Sequence, residues 1–110
     1  MNPYDIIPLF CEYRNVSEES VLGRVRSSKV WYTRYMIWHY VHCKMGLPTS
    51  VLVEIFNRNR PSVFRGIRLL KFQLKHDKSL KAEYDLIIKK IERRLGNPHS
   101  ESVLDNISLS

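Results

Sequence analysis

Apolar residues recur along this chain at intervals of three and four, and no stretch alternates apolar with polar residues for more than a few positions. That period belongs to helices, so the pattern predicts an all-α domain of five to six helices. Residues 5–15 carry Asp5 as a capping residue and Pro8 in a first turn, where a missing N–H costs little, and this helix should close near Asn15. A short second helix follows, with Ser17 as N-cap, Glu18 and Glu19 complementing the helix dipole, and Gly23 as its stop. Residues 24–29 read as a basic polar loop. From 30 to 46 the chain is apolar almost all round, which marks a helix at the centre of a domain.

Beyond the next turn, Thr49 or Ser50 can cap a helix running to Phe56. Its β-branched residues would suit a short strand, but the surroundings are helical and favour a helix. From Pro61 the apolar set Val63, Ile67, Leu70 and Leu74 follows i, i+4, i+7, i+11, leaving Ser62, Arg65, Arg68, Lys71 and Lys75 outward. A last helix starts near Asp77 or Ser79, shows Tyr84, Ile87, Ile88, Ile91 and Leu95, and stops at Gly96. These phases predict that Tyr40, Val41, Ile67, Leu70 and Ile88 are buried together. Residues 1–95 are expected to form the domain and 96–110 a polar, mobile tail.

Charge changes the picture more than overall composition does. The 110 residues carry a net charge of +7, which favours nucleic acid, an anionic membrane surface or an acidic protein over a neutral small molecule. The excess is clustered: residues 56–75 hold Arg58, Arg60, Arg65, Arg68, Lys71 and Lys75 with no acidic residue, and residues 24–34 hold Arg24, Arg26, Lys29 and Arg34 likewise. Such clustering opposes folding unless a polyanion balances it. No leader pattern and no run of about 18 apolar residues occur, so a cytoplasmic protein with no membrane partner is expected. Cys11 and Cys43, far apart in apolar-rich sequence, read as two buried reduced thiols.

Candidate chemistry is sparse. His39 and Cys43 could share a helix face beside His42, but a zinc site needs further ligands at recognisable spacing, so no metal is expected. No short motif joins a nucleophile to a base and no G-x-x-x-x-G-K-[ST] phosphate loop is present, so neither catalysis nor a cofactor is expected. Trp31, Tyr32, Tyr35, Trp38 and Tyr40 read as core rather than as a stacking platform for a single strand, with Arg34, Trp38 and His42 on one face. What remains is a pair of helices, 50–56 and 61–76, joined by Asn57, Arg58 and Asn59, a connection of helix-turn-helix length. The second would be a recognition helix whose first residues enter a major groove, capped by Asn59 and flanked by Arg58 and Arg60.

The stretch "YTRYMIWHYVHCKMGLPTSVLVEIFNRNRPSVFRGIRLLKFQLKHDKSLKAEYDLIIKKIE" resembles the C-terminal DNA-binding domain of the bacterial chromosomal replication initiator DnaA, and the resemblance extends over residues 6–94. It implies a Trp-repressor-like fold around the helix-turn-helix, with double-stranded DNA as partner. It also implies that Arg26, in the loop, enters a minor groove, and that Arg34, at a helix start, and His42 face the DNA backbone. The family's Phe-Gly-Gly-Arg-Asp-His-Thr-Thr-Val is matched by "FNRNRPSV" with one residue missing, Phe56, Arg58 and Val63 holding the frame. Asn59, Arg60, Pro61 and Ser62 replace Asp-His-Thr-Thr and Arg65 replaces a later His; Thr33 stands where the family has Pro, and Gly66 where it usually has Ala. The positions of Asn59, Arg60, Pro61, Ser62 and Arg65 read bases in the family, so a different DNA sequence is expected here. Asn can pair with adenine and Arg with guanine, while binding mainly to phosphate is the other outcome. The expected interface is Arg24, Arg26, Lys29, Arg34, His42, Arg58, Asn59, Arg60, Ser62, Arg65 and Arg68, in a stand-alone protein that regulates replication or transcription on the nucleoid. The alternative is a protein-interaction module that docks its basic surface on an acidic partner, with the tail folding on contact.

Overall fold

The first helix, α1 (Pro3–Arg14), is started by Asn2, whose side chain accepts from the Tyr4 and Asp5 N–H groups while the Asp5 carboxylate accepts from the Asn2 N–H. This reciprocal capping box makes Asp5 the third helical residue instead of the cap. Pro8 therefore lies past the first turn, where it removes the helical donor for the carbonyl of the exposed Tyr4. The computed structural model describes residues 2–96; the expected tail, apart from Gly96, lies outside the described residues. Helix α2 (Glu18–Leu22) starts on Ser17 and ends at Gly23 as its residue types dictate. Helices α3 (Ser28–His39), α4 (Thr49–Phe56), α5 (Arg60–His76) and α6 (Lys78–Leu95) complete an all-α array, with six α-helices and no strand among the described residues.

The array is organised around α3, which packs on α1, α2 and α5; α5 packs also on α4 and α6, and α6 returns to α1. Phe10, Trp38, Tyr40, Phe56 and Tyr84 are the largest side chains at the centre, and Tyr40, Val41, Ile67, Leu70 and Ile88 join them in one core. Each such side chain stabilises the fold by about 1.5–3 kcal/mol relative to leaving it in water. The apolar seam of α6 ends at Ile91, and Leu95 is exposed. One buried polar tie crosses the core: Arg14 donates from Nε to Thr33 Oγ1 at 3.1 Å and from Nη1 to Glu83, which fastens α1 to α3 and α6.

The central helix does not run unbroken to Gly46. Over Tyr40–Lys44 it widens into a π-turn, with the Met45 N–H reaching back to the Tyr40 carbonyl at 2.9 Å, and the left-handed Gly46 (φ 77°) then turns the chain out. Widening changes the phase of every following residue. Cys43, within this wide turn, is exposed, so the expectation of two buried thiols holds only for Cys11, whose thiol burial pushes up to about 11. His39 stays inside, with Nδ1 2.6 Å from the Tyr84 hydroxyl. Burial, followed by Lys44, Lys71 and His42, brings its pKa down to about 4, and burial drives the Tyr84 phenol upward, so both are neutral and one proton joins them. No three His, Cys, Asp or Glu side chains cluster among the described residues, and no described helix is long and apolar enough to cross a membrane.

Candidate nucleic-acid interface

The turn between α4 and α5 is built by two asparagines and one arginine. Asn57 adopts the left-handed conformation (φ 52°), which asparagine tolerates better than other residues with a Cβ, and its N–H closes on the Val53 carbonyl. Asn59 caps α5, its Oδ1 accepting from the Ser62 N–H at 2.9 Å. That bond uses one of the two lone pairs of the amide oxygen and leaves the NH₂ group without a partner in the turn. Pro61 fits the first turn of α5, where no helical N–H is needed. Val63, Ile67 and Leu70 then face the core, and Arg60, Arg65, Arg68, Lys71 and Lys75 are exposed.

Arg58 joins this turn to the other basic segment. Its guanidinium donates from Nη1 to the Phe56 carbonyl at 2.8 Å and from Nη2 to the carbonyl of Gly23, the residue that opens the loop of Arg24 and Arg26. The same Gly23 carbonyl accepts from Arg34 Nη2 at 3.0 Å. Two guanidinium groups thus share one oxygen. Burial, then the charges of Arg58 and Arg24, pull the Arg34 pKa down against a smaller opposing effect of Tyr35, and burial followed by Arg24 does the same to Arg58. The ion pairs of the described residues, Arg14–Glu83, Lys81–Asp85 and Arg94–Glu12, involve none of these arginines. A like-charge cluster is therefore held in place by backbone carbonyls.

The loop itself is shorter than its composition suggested. α3 begins at Ser28, so Arg24 and Arg26 lie exposed in the loop, whereas Lys29 is exposed on the first turn of the helix. The reason is Thr33: unlike proline it supplies a backbone N–H, and its hydroxyl donates to the Lys29 carbonyl at 2.7 Å, so the helix continues backward past it. Arg34 is consequently inside α3 and not at its start. It is 6% exposed, with Nε on the Val21 carbonyl at 2.8 Å and Nη2 on those of Ser20 and Gly23. These bonds cap the C-terminal end of α2 and tie the guanidinium to the start of the loop. His42 is half-buried; its Nδ1 donates to the Leu47 carbonyl at 2.8 Å and its ring meets Phe64 of α5 edge-on.

The fold thus joins Arg34 and Arg58, and with Arg58 the turn ahead of α5, at the Gly23 carbonyl next to Arg24, and leaves Arg26, Lys29, Arg60, Arg65 and Arg68 exposed. Residue types at 24–34 and 56–68 carried that information, but the role of Gly23 did not show, since a carbonyl has no sequence signature. The face of Arg34, Trp38 and His42 is mostly interior: Trp38 is 2% exposed between Tyr35 and Phe56, and only Trp31 of the aromatic group is exposed.

No family model matches the chain. It is similar to chromosomal replication initiator protein DnaA 1 of Chlamydia pneumoniae, 25% identical over 99 residues that make up 90% of this chain and 21% of that protein. It is also similar to chromosomal replication initiator protein DnaA of Acholeplasma laidlawii (strain PG-8A), 27% identical over 96 residues, 86% of this chain and 21% of that protein. A third relative, DnaA of Onion yellows phytoplasma, is 26% identical over 77 residues, 70% of this chain and 15% of that protein. The chain spans about a fifth of the length of the first of these relatives.

Proposed function

We propose that this chain, similar over most of its length to chromosomal replication initiator proteins DnaA, is a duplex-DNA-binding domain that acts without chemistry. On this reading the first turns of α5 enter a major groove, and Arg26 enters the adjacent minor groove from the loop. The observation that carries it is the Gly23 carbonyl, which accepts from Arg58 of the turn and from Arg34 of α3. It makes one surface of two acid-free segments. Unit charges about 5 Å apart at an effective dielectric near 20 repel by about 3 kcal/mol, and a row of phosphates relieves that repulsion. Arg24, Lys29 and Arg60 meet phosphates, His42 faces the DNA backbone at the flank, and Arg34 and Arg58 position the loop against the turn. A narrow minor groove concentrates negative potential and suits Arg26. The protein works on the nucleoid in the cytoplasm, in the regulation of replication or transcription.

A gel-shift titration of mixed-sequence duplex at two salt concentrations tests this. Four to six phosphate contacts give a log-log salt slope of roughly −4 to −5. An acidic protein partner gives a weaker dependence, and a weak slope on duplex would favour that alternative. Arg26→Ala should weaken binding most on A·T-rich flanks. Affinity unchanged on every duplex at low salt would remove the loop from the groove.

A further inference from the structure

The outward line of α5 is not the one that the order of residues at its start suggests. Val63, Ile67 and Leu70 are buried and Gly66 is pressed on Trp38, which fixes the inward side of the helix. Opposite that side, at helical spacing, run Pro61, Arg65, Arg68 and Phe72, all exposed. Arg60 precedes the buried Val63 and Ile67 by three and seven residues and so lies on their flank. Ser62 precedes Gly66 by four and is half-buried. Asn59 has its amide plane fixed by the cap bond from the Ser62 N–H, so a bidentate pair with adenine would have to share that oxygen or give up the cap.

On the reading that this is a duplex-DNA binder, we propose that Arg65 and Arg68 are the base-reading pair of α5 and select guanines on neighbouring base pairs, while Asn59 and Ser62 hold the helix start and read nothing. The spacing supports the pairing: three residues rise about 4.5 Å along a helix, and successive base pairs are about 3.4 Å apart, a mismatch that arginine stems absorb. Each guanidinium fork matches the O6 and N7 acceptors of one guanine. Neither residue is bonded to a carbonyl in the way of Arg34 and Arg58, so both forks are free to turn toward bases. The neighbouring Phe72, 56% exposed, keeps the far end of the same line apolar.

Selection from a random duplex library, followed by anisotropy titrations of the enriched duplex and of versions with each guanine changed to adenine, tests the pair. The enriched sequence should contain two guanines on neighbouring base pairs, each preferred over adenine by roughly 5- to 150-fold. Arg65→Gln and Arg68→Gln should each abolish or invert that preference at one position only, because glutamine pairs with adenine. Asn59→Ser, which keeps a capping oxygen, should leave both preferences intact. Variants are compared at equal helicity by circular dichroism. An enriched site without paired guanines, preferences unchanged in both glutamine variants, or preferences lost in Asn59→Ser would each overturn the assignment. Equal binding to all duplexes overturns this pair alone and leaves duplex binding standing, whereas no binding to any duplex at low salt overturns both.

Discussion

Gly66 shows how a single residue sets the distance between the two helices that matter most. A Cβ built there would lie 2.7 Å from Trp38 Cζ3 and 2.8 Å from Tyr35 Cδ1, so α5 can approach α3 only because that atom is missing. Trp38 cannot easily yield, being wedged against Phe56, with its buried indole N–H bonded to no partner and packing alone holding the ring. Gly66→Ala gains up to about 1 kcal/mol of helix propensity and loses about 1–3 kcal/mol to overpacking. A net loss of about 1 kcal/mol is expected, read as a lower urea midpoint at unchanged slope. His39 gives a second residue-scale expectation. Its folded pKa of about 4 lies below the ordinary 6.5, so between these values the unfolded chain binds more protons. Stability is therefore full above about pH 6.5 and falls as pH drops toward 4, by on the order of 3 kcal/mol. A urea midpoint that is flat from pH 7 to pH 4.5 would contradict this.

Elements extend or stop here according to single donors and acceptors. α3 begins at Ser28 because Thr33 supplies an N–H within the helix and a hydroxyl that also accepts from Arg14. Thr33→Pro, the residue of the resembling family, should remove the first turns of α3, free Lys29 into the loop and leave Arg14 Nε without its acceptor. The cost should be about 3 kcal/mol or more, with a matching loss of helical ellipticity. If the ellipticity stays unchanged, the long α3 does not depend on Thr33. At the other end of the helix Cys43 lies exposed within the π-turn while His42 keeps its bond to Leu47.

Across the whole molecule the net charge of +7 and the junction at Gly23 act in the same direction. Arg24, Arg34 and Arg58 repel one another in the free protein, and salt screens repulsion among the exposed charges. Raising ionic strength should therefore raise Tm by a few degrees and, on the proposed function, lower affinity for duplex, since counterion release drives duplex binding. Opposite salt trends in thermal scans and in binding titrations are the expected result. A Tm that falls with salt would mean that attractive pairs outweigh the cluster.

The helices and the core were legible because periodicity needs no long-range information: Ser17, Asn59 and Asp77 cap where their side-chain oxygens reach an N–H three residues on, and Val63, Ile67 and Leu70 share a face by spacing alone. The two basic segments were legible as well, since a run without acidic residues is visible in one dimension. What could not be seen was the division of labour within them. Arg34 and Arg68 are the same residue type in similar company, yet one is 6% exposed against three backbone carbonyls and the other lies in solvent on the outer line of α5. That difference follows from where the short α2 ends against α3. Such placement depends on contacts between segments distant in sequence, so packing settles it and composition cannot. The same holds for Cys43, exposed within the wide turn of Tyr40–Lys44, and for Gly23, whose importance lies in a carbonyl oxygen that every residue possesses.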